Sequence, residues 1–134
     1  MTTVCFACVQ NAGRSQIAAA LFNRLADPAK ARAVSAGTKP GPRVHPEVVA
    51  VLREVGIDLG SSSPRLLTHE LAATAHLMIT MGCGDACPVV PGLVMLDWPI
   101  PDPAERPLDD VRRIRDEIRA RVVALLQERG WAAA

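Results

Sequence analysis

The stretch TTVCFACVQNAGRSQIAAALFNRL, residues 2–25, decides the fold. Its first part, Thr2–Val9, is a largely apolar run, as expected of a strand buried on both faces of a parallel sheet. Gln10–Gly13 is a short polar turn that ends in glycine. Ile17, Leu21 and Leu25 then recur every four residues, and Ala18–Ala20 are strong helix formers. Asp27-Pro28 stops that helix. Strand, tight turn and helix in immediate succession open an α/β architecture.

The pattern repeats downstream. Ala31–Ala36 reads as a second strand, ended by Gly37 and a Pro/Gly-rich loop through Pro42. Pro46 suits a helix start, Val48, Leu52 and Val55 form its stripe, and Gly56 sits where a C-terminal glycine would. Thr68 caps a short helix through Ala73. His76–Met81 is a third strand and Leu93–Leu96 a fourth, separated by a Gly/Cys/Pro-rich loop from Gly82 to Gly92. Pro99–Pro107 carries four prolines and must be irregular. The last helix spans Leu108–Arg129, with Leu108, Val111, Ile114, Ile118, Val122 and Leu125 as its stripe and Gly130 as its stop. Asp109–Arg113 and Glu117–Arg121 should pair along its solvated face. These elements predict a three-layer α/β/α sandwich around a four-stranded parallel sheet, a single domain over residues 1–134.

Composition narrows the function. Apolar residues make up 49% of the 134 residues, enough for a sizeable core, and tyrosine is absent. A net charge of +1 gives no field for gripping a polyanion, so nucleic acid and membrane are not expected partners. No signal segment or membrane span is visible, and a cytoplasmic location is expected. There, the four cysteines are better read as catalytic or redox-active than as structural disulfides.

Cys8-Val9-Gln10-Asn11-Ala12-Gly13-Arg14-Ser15 joins the buried strand to the helix start, where free backbone N–H groups and the helix dipole attract an anion. Successive N–H groups of such a turn form a nest for a tetrahedral oxyanion. Asn11 and Gly13 are the residue types that best tolerate left-handed backbone angles. Arg14 offers a planar fork matched to two oxygens of phosphate or arsenate. The same features should favour the thiolate of Cys8, and Ser15 can donate its hydroxyl to that sulfur. The expected binding set is therefore Val9, Gln10, Asn11, Ala12, Gly13, Arg14 and Ser15 around a Cys8 nucleophile. The segment lacks the Lys-Ser/Thr pair and spaced glycines of a nucleotide-binding loop.

Cys-x5-Arg-Ser directly after a first strand resembles the low-molecular-weight protein tyrosine phosphatase fold, and within it the arsenate reductases. Matching features run along nearly the whole chain: residues Cys8 to Ser15, Ser35-Ala36-Gly37-Thr38, Met81-Gly82-Cys83-Gly84-Asp85-Ala86-Cys87-Pro88, and Asp102-Pro103. The resemblance implies that Asp102 is the general acid, since the family carries an Asp-Pro pair there. Phosphatases of this fold usually place aromatic residues near that Asp, whereas Asp102-Pro103-Ala104-Glu105 has none. Trp98, the only aromatic nearby, reads as core. Gln16 stands where the phosphatases tend to have Pro.

Cys83 and Cys87 separate reduction from hydrolysis. A hydrolase needs no further thiol, whereas reducing As(V) to As(III) takes two electrons. Attack of Cys83 on the sulfur of a Cys8–arsenate adduct would expel arsenite, and Cys87 could then attack Cys83 and regenerate Cys8. The expected substrate is arsenate, with phosphate and sulfate competing, no tightly bound cofactor, and an external thiol reductant acting on a monomer. The best-known thioredoxin-coupled reductases carry a further cysteine where this chain has Ala12-Gly13, and a longer gap between the relay cysteines. Relay order and donor therefore stay open between thioredoxin and a small thiol such as mycothiol or glutathione. Three other readings compete: a phosphatase acting on phosphomonoesters, a non-catalytic oxyanion sensor, and a zinc site from Cys5, Cys8, Cys83 and Cys87. Zinc is disfavoured, because residues three apart in a strand face opposite ways. Cys5 reads as core. His45, His69 and His76 show no ligand spacing and read as surface or satisfied histidines, so no metal site is expected.

Overall fold

The computed structural model describes residues 1–82 and 90–133. Four parallel strands, β1 (Thr2–Cys8), β2 (Ala31–Gly37), β3 (Leu77–Thr80) and β4 (Val94–Asp97), form a sheet in the order β2-β1-β3-β4. The described helices are α1 (Arg14–Leu25), α2 (Pro46–Arg53), α3 (His69–Ala73) and α4 (Leu108–Arg129). The α/β/α architecture expected from the sequence is present. Boundaries differ by one or two residues: β1 ends at Cys8, β2 runs on to Gly37, and β4 is shifted one residue towards the C-terminus.

The two faces of the sheet are unequally covered. Val4, Phe6, Cys8, Leu77 and Ile79 pack under α1, α2 and α4, around Ile17, Phe22, Leu52, Ile118 and Leu126. The other face holds Cys5, Ala7, Ala36 and Met78 beneath Leu67 and Ala72, with the five-residue α3 as its helical cover among the described residues. Alternation along β1 thus sends Cys5 and Cys8 into different cores. Trp98 is core, its ring centroid 5.6 Å from that of Phe6.

Three expectations about surface residues need correction. Val55 and Leu108 are exposed, because α2 ends at Arg53 and Leu108 is the first residue of α4. The acidic partners on α4 pair at a spacing of three, Asp109 with Arg112 and Asp110 with Arg113. Arg112 is drawn inward to a second partner, since Glu54 at the end of α2 grips both Arg112 and Arg115. Hydrogen bonds and charge from those two guanidinium groups hold the Glu54 carboxyl below its ordinary range, Arg112 contributing most. Thr68 does cap α3, its hydroxyl accepting from the Leu71 N–H at 3.0 Å.

The chain winds from β1 to β2 on one side, then crosses to β3 on the other. Ligands of open α/β sheets bind beyond the strand ends where the winding direction reverses. Here that point lies at the end of β1, where Cys8 stands.

Candidate active site

The segment between β1 and α1 has its carbonyl groups turned outward, each to a donor. Cys8 O accepts from Thr38 N, Val9 O from Lys39 N, Gln10 O from Gly41 N and Ala12 O from His45 N, at 2.8–3.2 Å. Gly13 O accepts from Ile17 N in the first turn of α1, and Asn11 O from the Gln16 side-chain amide at 3.1 Å. With every carbonyl from Cys8 to Gly13 engaged, the N–H edge of the loop is left to face a ligand. No side chain caps α1, so its first-turn N–H groups add to that donor set. Asn11 takes the left-handed conformation, φ 51°. Gly13, the other residue expected to do so, has φ −140° and ψ −93°, outside the left-handed region.

Cys8 Sγ lies 2.8 Å from Ser15 Oγ, and Asn11 N donates to the sulfur at 3.3 Å. The orientation of the Asn11 amide follows from one backbone group. Arg65 N–H can only donate, and it meets Asn11 Oδ1 at 3.0 Å. Asn11 Nδ2 must then face Ser15 Oγ, at 2.7 Å. A Cys8 thiolate can only accept, so with the sulfur ionised the Ser15 proton is directed to Cys8 Sγ. Gln16 Nε2 completes the cluster, donating to Asn11 O, Asn11 Oδ1 and Ser63 O.

Cys8, Val9, Gln10, Ala12, Gly13, Arg14, His45 and Asp102 line a cavity of about 150 Å³. Arg14 is 12% exposed; its guanidinium donates to Ile100 O at 3.1 Å and stands 3.9 Å from the Asp102 carboxylate. Asp102, 57% exposed, is held in a turn by Ala104 N and by the Arg106 side chain. Asn11 and Ser15 lie behind the cavity wall, fully buried. Larger clefts, of about 330, 310 and 490 Å³, lie along α4, and none is lined by a cysteine. Gly82, φ 95°, leaves room for the Arg14 guanidinium where a Cβ would collide with it.

The structure therefore brings together Cys8, Arg14, Ser15, Asp102 and the whole loop from Val9 to Ser15. Cys83 and Cys87 lie outside the described residues. Cys5 is fully buried on the other face of the sheet, and burial pushes its thiol up to about 11, against a smaller opposing pull from Arg65. Among the described residues, no three His, Cys, Asp or Glu side chains gather as metal ligands, and no helix is long and apolar enough to cross a membrane. Sequence reasoning overlooked three contributors: Gln16, the Arg65 backbone, and His45, which lines the cavity. Only His45 had a local signal, since it directly precedes Pro46 at the start of α2. His76 is satisfied, its Nδ1 accepting from Thr3 N at 3.0 Å.

Known proteins resemble this chain in sequence and fold. A relative from Halobacterium salinarum, provisionally named an arsenate reductase, is 37% identical over 129 residues, which is 92% of this chain and 89% of the relative. The thioredoxin-dependent arsenate reductase of Corynebacterium glutamicum superposes with a TM-score of 0.82 at 38% identity. The match takes in 96% of this chain but 61% of that longer one. An arsenate reductase solved in a phosphate-binding state gives a TM-score of 0.83 at 29% identity, with 96% and 98% of the two chains covered. The low molecular weight phosphotyrosine protein phosphatase family matches residues 3–130. This chain belongs to that family, and it is an enzyme with arsenate reductases among its relatives.

Proposed function

We propose that this protein reduces arsenate to arsenite, with Cys8 as the nucleophile. The observation that carries the reading is the Cys8 sulfur beside a nest whose carbonyls are all turned away, with Ser15 O–H and Asn11 N–H aimed at it. Such a site binds a tetrahedral oxyanion and stabilises a thiolate next to its central atom. Arg14 and the amides from Val9 to Ser15 hold the arsenate oxygens. Cys8 displaces one oxygen, which leaves as water with a proton from Asp102, and an S–As bond forms.

Cys83 then attacks Cys8 Sγ. The S–As bond breaks with its electron pair going to arsenic, which leaves as arsenite, and a Cys8–Cys83 disulfide remains. Cys87 attacks Cys83, releases the Cys8 thiolate and leaves a Cys83–Cys87 disulfide for an external dithiol to reduce. Cys83 follows Gly82 directly in the chain, and Gly82 packs on Arg14 at the cavity, which favours Cys83 as the first to attack. Thioredoxin is the donor we favour, by likeness to the Corynebacterium glutamicum protein. Phosphate and sulfate compete for the nest.

The test is arsenite formation in the presence of thioredoxin, thioredoxin reductase and NADPH. Wild type should turn over, Cys8→Ser should be inactive, and Cys83→Ser should complete at most one event per molecule. Sustained hydrolysis of an aryl phosphate with no arsenite formed would instead identify a phosphatase.

A further inference from the structure

We propose that His45 is a specificity-determining residue of the anion cavity, whose imidazole contacts the outward side of the bound oxyanion. The inference rests on reading the Cys8 loop as an oxyanion site. His45 lines the same cavity as Cys8, Arg14 and Asp102, yet the reaction above gives it no part. Its backbone is fixed at both ends. The His45 N–H donates to Ala12 O at 2.9 Å, and its carbonyl accepts from Val48 N and Val49 N at the start of α2. The following Pro46 further restricts it.

The side chain lines the cavity wall. At Gly13 a Cβ would meet Pro103 Cγ at 2.7 Å on one side and His45 Cδ2 at 3.4 Å on the other. Gly13 is thus pinched between the loop that carries Asp102 and the His45 ring. The nest and Arg14 grip an oxyanion from below, and His45 and Asp102 flank its outer side. Among the described residues, the charged and titratable groups facing that space are Cys8 from β1, Arg14 from α1 and Asp102 from the loop before α4. An imidazole there adds a second side-chain donor beside Arg14, so anion affinity should depend on it.

Sulfate is the probe, and a Cys8→Ser background removes the thiol. Calorimetric sulfate binding to Cys8→Ser/His45→Ala should be about tenfold weaker than to Cys8→Ser, the scale of one charge-assisted hydrogen bond. Proton NMR of Cys8→Ser supplies a readout that does not need the double variant: the His45 ring resonances should move on sulfate addition while those of His69 and His76 stay. Equal sulfate affinity in the two variants overturns the proposal, as do unmoved His45 resonances. No sulfate binding to either variant would instead overturn the oxyanion site itself.

Discussion

The backbone N–H of Arg65 donates to Oδ1 of Asn11 at 3.0 Å, from 54 residues away in sequence. That one contact fixes the Asn11 amide with Nδ2 towards Ser15 Oγ, because a backbone amide cannot reverse its role, and a Cys8 thiolate then takes the Ser15 proton. The segment carrying it is itself anchored: Gly37 N donates to Arg65 O, and Leu67 N to Gly37 O.

Asn11→Asp preserves shape and the acceptor for Arg65, but its ionised carboxylate has no proton for Ser15. The Ser15 hydroxyl should then turn to the carboxylate and leave Cys8. The rate of Cys8 alkylation by iodoacetamide at neutral pH, and kcat/KM for arsenate, should fall about 10- to 100-fold, the equivalent of one hydrogen bond to a charged group. Unchanged alkylation would show that Ser15 does not donate to Cys8.

Gln16→Leu removes the side-chain donor that Asn11 O has among the described residues and leaves that buried carbonyl without it. Urea unfolding should show a loss of about 1–3 kcal/mol. Because the freed peptide can rotate its carbonyl towards the nest, the inhibition constant for phosphate should rise as well. A loss of stability with unaltered phosphate inhibition would separate Gln16 from the anion site.

Much of this was legible in residues 2–25, where strand, turn and helix are contiguous and each signal is local. Cys8, Arg14 and Ser15 were found there because the nest is built from consecutive residues. Asn11 was found for its backbone tolerance, but its side-chain role was hidden, since its partner Arg65 arrives only through tertiary folding. The outward carbonyls were equally hidden, for their donors, Thr38, Lys39, Gly41 and His45, belong to a loop that reads as mere Pro/Gly spacing. His45 was dismissed on ligand spacing, a test suited to metals and blind to a side chain placed by a helix start. The one-residue shift in β4 has a simple cause: Val94 and Leu96 are exposed on an edge strand, so burial does not fix its register in the sequence pattern.

Gly82→Ala should act through Arg14. The new Cβ meets the guanidinium, and the residue must hold a positive φ of 95°, a conformation that costs about 1–3 kcal/mol for a non-glycine residue. KM for arsenate should rise about tenfold, by displacement of one charge-assisted contact. Steady-state kinetics with phosphate as competitor will check it, since phosphate inhibition should weaken in parallel. An unaltered KM would mean that Arg14 is positioned by Ile100 and Asp102 alone.

Cys5 provides a pH signature of the core. Its thiol is raised from 9.0 to about 11 by burial, so the folded state keeps a proton that the unfolded chain gives up. The associated stability is intact below pH 9 and is lost as pH rises towards 11, by about 3 kcal/mol at most. The chain has no tyrosine, which keeps this window clear of phenol titration. Thermal unfolding should show the loss in wild type and a flatter profile in Cys5→Ala. Equal slopes in the two proteins would contradict the assignment.

The most direct measurement of the central claim is a single exposure of fully reduced protein to excess arsenate without external reductant. Free thiols are then counted and disulfides mapped by mass spectrometry. The account predicts that two of the four thiols disappear, with one arsenite formed per molecule and Cys83 bridged to Cys8 or Cys87. Retention of all four thiols would contradict a cysteine relay within this chain.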